Sequence, residues 1–354
     1  MPDRQVAASA DPLQNGQGTA ATGHRSRWAA AGRLLSGRPV RWGFVAVTVG
    51  LGGYAVAREW PGVRSGLASI GVGTSIEALL CVLAALVMTM QVWRLLLAGL
   101  GSPLPARAAS RIMFIGQLGK YLPGSVWPVL AQMELGNAYR VPRHRSAAAS
   151  VLTMVVSLLT GLLAALATLP FVAGATAYLW AFAITPVLLA CLHPRVLNAV
   201  VGRLLRLTRR PPLELPLTGR AMAAALAWSW ASWVLYGLQI WLLATRLGAP
   251  PGRTVLLAVG GFAFAWSVGF LVVLAPAGAG VRDVLLIATL SPVLGTSRAT
   301  AVALMSRALM TAGDLLTAAL AAASSRPPGP LGRTPGSPGP GSPGPGSPGP
   351  ESRE

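Results

Sequence analysis

The sequence predicts an all-α, polytopic membrane bundle of seven or eight spans, with two re-entrant segments broken by Pro and Gly. Three observations predict it. Hydrophobic residues make up 53% of the 354 and charged residues 11%, too few charges to coat a water-soluble fold. Apolar runs of roughly 17 to 25 residues recur, the length that crosses a hydrocarbon core about 30 Å thick. The formal net charge of +19 is carried mostly in the loops between those runs. No basic stripe interleaved with aromatics lies on a polar domain, which argues against a nucleic-acid surface. Topogenic arginine facing the cytoplasm and its anionic lipids explains the charge instead.

Residues 1–41 are rich in Gly, Ala, Ser and Arg and are expected to be a disordered cytoplasmic segment. They are not a signal peptide, because the first apolar run begins only after them. The membrane domain is expected over 42–323. Its first span is 42–57, weakened by Gly50, Gly52 and Gly53. The next is 75–98. Segment 108–137 follows, broken by Pro123 and Pro128. Spans are then expected at 147–170, 174–192, 221–244 and 254–275. A second Pro/Gly break precedes a short apolar piece, 284–295, and the last span is 299–322. Residues 324–354 repeat Gly-Ser-Pro-Gly-Pro, an extended, unstructured tail.

Arginine distribution sets the orientation. With the N-terminus in the cytoplasm and 108–137 dipping in and returning, stretches 1–41, 107–111, 140–145 and 195–220 face inward with six, two, three and six arginines. Arg58, Arg64, Arg246 and Arg253 face outward. A full crossing by 108–137 would send the six arginines of 195–220 outside, so the re-entrant reading is preferred. Segment 275–296 either re-enters, giving seven spans, or crosses, giving eight. Between these landmarks, Val196, Leu197, Val200, Val201, Leu204 and Leu205 share one helical face opposite Arg195, Arg203 and Arg206. Such a pattern fits either an amphipathic helix on the inner leaflet or a plain basic loop.

Of the 29 Lys and Arg residues, Lys120 is the single lysine. It stands in Gly116-Gln117-Leu118-Gly119-Lys120-Tyr121-Leu122-Pro123-Gly124, with Trp127, Gln132 and Glu134 close behind. A second segment has the same character: Pro276-Ala277-Gly278-Ala279-Gly280-Val281-Arg282-Asp283. Each interrupts an apolar run and sets a cation beside the break. Lipid satisfies neither broken backbone nor a bare charge, so both segments should line a protein-walled or watery cavity. Broken helices expose free N–H groups and a positive dipole end, and transporters build anion sites from them in corresponding halves of the chain. Lys120 and Arg282 are therefore the candidate phosphate ligands. Gln117, Tyr121, Trp127 and Gln132 are candidates for shaping the headgroup pocket. Pro123, Gly124, Pro276, Gly278 and Gly280 supply the breaks, whose alternative role is packing alone.

Arg307 and Asp314 are seven residues apart in the last span and share one stripe of it. They are expected to pair across helices, or with Asp283 and Arg282. Glu134 is expected either to neutralise Lys120 or Arg111 or to take part in substrate binding. No Walker loop, GxSxG or acidic cluster for phosphoryl transfer occurs, so neither catalysis nor ATP-driven pumping by this chain is expected. His24, His144 and His193 are scattered, and Cys81 and Cys191 show no paired spacing; no metal, disulfide or cofactor is expected.

The run Gly116–Trp127 resembles the transmembrane domain of lysylphosphatidylglycerol synthases and their stand-alone, flippase-like relatives. Pro276-x-Gly278-x-Gly280-Val281-Arg282-Asp283 is similar to that family's Pro-Gly-Gly-x-Gly-x-Arg-Glu pattern, with Asp283 where Glu is usual. An Arg307…Asp314 ending agrees as well. The resemblance covers 42–322. It implies translocation or binding of a membrane lipid, an anionic phospholipid or a lipid-linked glycan, in the cytoplasmic membrane. The full synthases attach the amino acid in a cytosolic domain that follows; here a Pro/Gly/Ser tail follows, so lipid aminoacylation is not expected. The alternative is a non-transporting membrane partner of a separately encoded glycosyltransferase or lipid synthase; no nucleic-acid partner is expected.

Overall fold

A computed structural model describes residues 60–121, 126–168, 175–207, 218–271 and 280–324. Every element among them is helical. The expected first span 42–57, the N-terminal segment 1–41 and residues 325–354 lie outside the described residues.

Helix α1, Trp60–Gly99, bends at Gly71, whose φ of 74° and ψ of 161° leave the helical region. A non-glycine residue tolerates that backbone poorly. After α2 (Ala106–Ser110), the chain takes a π-helical turn over Arg111–Ile115 and a 3-10 turn over Leu118–Tyr121. Helix α3 (Trp127–Asn137) starts with Pro128 in its first turn, where the missing N–H has no intrahelical partner to lose. There follow α4 (Arg143–Thr168), α5 (Ala175–Cys191), α6 (Pro194–Leu207), α7 (Gly219–Arg246), α8 (Pro251–Leu271), α9 (Val281–Leu294) and α10 (Thr296–Ser324). The Thr218 hydroxyl caps α7 by accepting from Ala221 N at 3.3 Å. Gly295, at φ 75°, turns α9 into α10.

Five described helices are long and apolar enough to cross a membrane: Val63–Gly99, Arg143–Thr168, Gly219–Arg246, Pro251–Leu271 and Thr296–Ser324. The longer expected count needs additional elements. One is 42–57, outside the described residues. Another is α5, which at 17 residues is about 25 Å long. The last is α9, 14 residues and about 21 Å. Neither α5 nor α9 matches the thickness of a hydrocarbon core on its own. The basic stretch that reads as loop or amphipathic helix is helical, as α6.

The core is apolar side chains punctuated by short hydroxyl contacts. Helix α7 lies along α1, and α8 packs against α4, α7 and α9. At Gly260 of α8 a Cβ would collide with the Thr168 side chain of α4, so the missing side chain sets how closely those helices approach. Thr160 and Ser229 share a hydrogen bond of 2.7 Å, and Trp233 Nε1 donates to Thr160 Oγ1 at 3.0 Å. Gln239 Nε2 donates to Ser306 Oγ at 2.7 Å. Large apolar side chains such as Val72, Leu80, Val234, Val284 and Leu320 project outward. In water they would be a liability; in acyl chains they are the expected surface.

Candidate functional site

The first broken segment doubles back. A Cβ on Gly116 would lie 2.5 Å from Gln132 Cγ. One on Gly119 would lie 2.9 Å from the backbone of Trp127 and of Pro128. The two arms, Arg111–Tyr121 and Trp127–Asn137, therefore run against each other in opposite directions, with glycine at the points of closest approach. Pro123 and Gly124, expected at the tip, lie outside the described residues.

The second segment doubles back as well. A Cβ on Gly269 of α8 would lie 3.0 Å from Arg282 Cβ of α9. One on Gly261 would meet the Thr289 side chain further along α9. Pro276 and Gly278 lie outside the described residues. Gly280 stands at the start of α9 with φ 86° and donates its N–H to Asp283 Oδ2 at 3.2 Å. The carboxylate thus caps its own helix near the positive end of its dipole.

Both segments meet the same strut, α10, from opposite ends. Arg111, at the base of the first arm, donates to Ala322 O near the C-terminus of α10 at 3.3 Å. Arg298, near its N-terminus, donates to Leu247 O between α7 and α8 at 3.2 Å. Between these anchors, Arg307, Met310, Thr311 and Asp314 recur at three- and four-residue spacing and form one stripe. The first segment reaches the stripe at Asp314: Lys120 Nζ lies 2.6 Å from Asp314 Oδ2, and Tyr121 OH donates to that same oxygen at 2.6 Å. The second reaches it at Arg307, which pairs with Asp283 Oδ2. Arg282 lies against Met310 Sδ through its Nη2, with its Cζ 4.9 Å from the centre of the Phe262 ring. Its Nε is buried without a hydrogen-bond partner.

The cluster comprises three cations, Lys120, Arg282 and Arg307, and two carboxylates, Asp283 and Asp314. One positive charge is in excess, and Arg282 holds it. Among the described residues no carboxylate reaches Arg282 within ion-pair distance. Phe262 belongs to a run of packed rings. It stacks on Tyr236 with centroids 5.5 Å apart, and Trp233 touches both Phe262 and Trp266. Trp266 stacks on Phe270 at 5.2 Å. An arginine over an aromatic face, short of a counter-ion, is disposed to take an anion.

Several sequence expectations are redirected. Arg307 does pair across helices with Asp283, while Asp314 pairs with Lys120 rather than with Arg282. Glu134 meets neither Lys120 nor Arg111 in an ion pair. It lies 2.8 Å from Arg143, with both side chains more than half exposed, where a pair contributes roughly 0–1 kcal/mol. Gln132 is 2% exposed. It donates to Met113 Sδ at 3.3 Å, accepts from Ser150 Oγ, and its carbonyl accepts from Ser146 Oγ at 3.0 Å. These contacts join the first hairpin to α4. Gln117 is half-buried, whereas Tyr121 and Trp127 are 40% and 44% exposed. Phe262 and Met310 are at the site without having been expected there, since nothing in an apolar sequence separates a ring or thioether beside an arginine from ordinary core. Among the described residues no group of three His, Cys, Asp or Glu is placed to hold a metal.

No curated protein matches the chain. Residues 42–317 match the sequence model of the family described as the lysylphosphatidylglycerol synthase TM region, and those bounds enclose both broken segments and the Arg307–Asp314 stripe. The chain therefore belongs to that family, as a multi-pass membrane protein of lipid-related function.

Proposed function

We propose that the protein binds an anionic lipid headgroup at the meeting point of the two broken segments and carries that lipid, an anionic phospholipid or a lipid-linked glycan, across the cytoplasmic membrane. The observation that carries the reading is Arg282. Its guanidinium lies beside the middle of α10 with a thioether and a ring for neighbours and, among the described residues, no carboxylate within ion-pair distance. A cation with a buried, unpartnered Nε and no ion pair destabilises a fold, and a site that keeps one is disposed to receive an anion. Lys120 and Tyr121 offer an ammonium and a hydroxyl from the other segment, and Trp127 and Gln117 flank them. On this reading both segments re-enter, 108–137 from the cytoplasmic side and 275–296 from the outer side. With α8 and α9 forming one hairpin that enters and leaves on the outer side, six full spans remain, with 42–57 and α5 among them and the N-terminus inside. The chain performs no chemistry on the lipid and holds no ATP machinery. Transport then follows a gradient or couples to an ion, and a separately encoded synthase or glycosyltransferase supplies or consumes the lipid.

A leaflet-resolved assay in proteoliposomes tests this. Full-length protein is expected to move labelled phosphatidylglycerol between leaflets, and Arg282→Gln is expected to stop it with the protein still folded. Wild-type protein that moves no anionic lipid, yet co-purifies with a transferase, would instead establish a non-transporting partner.

A further inference from the structure

In the structure Lys120 already has an anion. From this we infer that Asp314 is a resident counter-ion that stands in for the headgroup phosphate on Lys120 and Tyr121, and that the lipid binds by exchange with it. The inference rests on the headgroup reading above and adds the residue that regulates it.

The geometry singles out Asp314. Its Oδ2 alone receives both the Lys120 ammonium and the Tyr121 hydroxyl, each at 2.6 Å. One anionic oxygen held by an ammonium and a neighbouring hydroxyl is the arrangement that a phosphate oxygen also accepts. The other carboxylate of the cluster is differently employed. Asp283 caps α9 through Gly280 N while pairing with Arg307, so releasing it would undo a helix start. Asp314 lies within α10 and caps nothing; its exchange leaves every helix intact.

Exposure and charge agree. The Asp314 side chain is 4% exposed and that of Lys120 28%, so of the two partners the lysine is the one open to an incoming group. Lys120 and Tyr121 stand on a four-residue 3-10 turn, a weakly held element able to shift a short way. Arg282 lies against Met310 Sδ, one helical turn from Asp314 along α10. One monoanion brings the cluster from a single excess positive charge to neutrality. Two anions on one ammonium repel each other, which favours displacement of Asp314 by the phosphate over its joining.

Because Lys120 is the single lysine, amine labelling reports on it alone, apart from the chain's N-terminus. Full-length protein in phosphatidylcholine nanodiscs is titrated with short-chain phosphatidylglycerol and, separately, with glycerol phosphate. Asp314→Asn is expected to bind phosphatidylglycerol at least tenfold more tightly than wild type. Phosphatidylglycerol should also slow acylation of Lys120 in that variant. In wild type, which needs no substitution to fold, the added lipid is expected to raise carbodiimide modification of Asp314 severalfold as the carboxylate is released. The same response to glycerol phosphate supports the exchange and assigns it to the phosphate rather than the acyl chains. If wild type binds the lipid, but Asp314→Asn binds it no better and Asp314 stays unreactive, the exchange is overturned while the headgroup reading stands. If neither protein binds phosphatidylglycerol or glycerol phosphate, both are overturned.

Discussion

Arg282 and Arg307 belong to one cluster yet should answer differently to mutation. Arg307 is tied to Asp283, which also caps α9. Removing the guanidinium leaves a carboxylate half-enclosed and loosens the start of that helix. Arg307→Met is therefore expected to lower the melting temperature in detergent. The exchanged pair Arg307→Asp with Asp283→Arg should recover part of the loss, since the attraction survives but the cap does not. Among the described residues, the Arg282 guanidinium has a thioether and a ring beside it and no ion-pair partner. Replacing a poorly compensated cation by an apolar side chain of similar length removes its desolvation cost without breaking an ion pair. Arg282→Met is thus expected to hold or raise the melting temperature while abolishing phosphatidylglycerol binding. A fall in stability equal to that of Arg307→Met would assign Arg282 a structural role instead.

At the scale of the element, the first hairpin depends on glycine where its arms touch. A methyl on Gly119 would press on the backbone of Trp127 and Pro128 at 2.9 Å, atoms with no rotamer by which to yield. Overpacking of this kind costs about 1–3 kcal/mol. Gly119→Ala is expected to lower the melting temperature and to weaken lipid binding, because Lys120 follows directly. Gly73→Ala is the control: it meets nothing within 4 Å and should be neutral or slightly stabilising by helix propensity. Equal effects of the two variants, read in one thermal-shift experiment, would show that the arms do not pack as described. Both breaks are legible in the sequence, because lipid tolerates Pro and Gly inside an apolar run only where protein or water satisfies the freed backbone groups. The doubling-back of 108–137 follows from the arginine counts. That its arms touch at Gly116 and Gly119 is not legible there, since close approach is a property of two segments and not of either alone.

Across the whole molecule, the two hairpins approach the middle of α10 from opposite ends, one anchored near Ala322 and the other near Leu247. That inverted arrangement resembles the midplane sites of transporters. It fixes a topology test. In a background lacking Cys81 and Cys191, Ala138→Cys and Gly252→Cys are both on exposed turns or helix starts. An impermeant thiol reagent is expected to reach Gly252→Cys from outside intact cells and Ala138→Cys only after the membrane is opened. Labelling of both from one side would break the arrangement.

The sequence by itself determined the helical class, the membrane setting, the two broken segments and the residues able to carry charge inside them. Composition, run length and Pro/Gly placement are local quantities, and lipid restricts what they can form. It also determined the family, through residues clustered at those breaks. Only the tertiary structure decided which charges meet. Lys120 and Asp314 are separated by most of the chain, and five charges in one region admit many pairings. It also sent Glu134 to Arg143 and Gln132 into a buried contact with α4. Charge pairing depends on distances of a few ångströms between segments remote in sequence, and those distances are set by the packing of small residues along α8, α10 and the first hairpin.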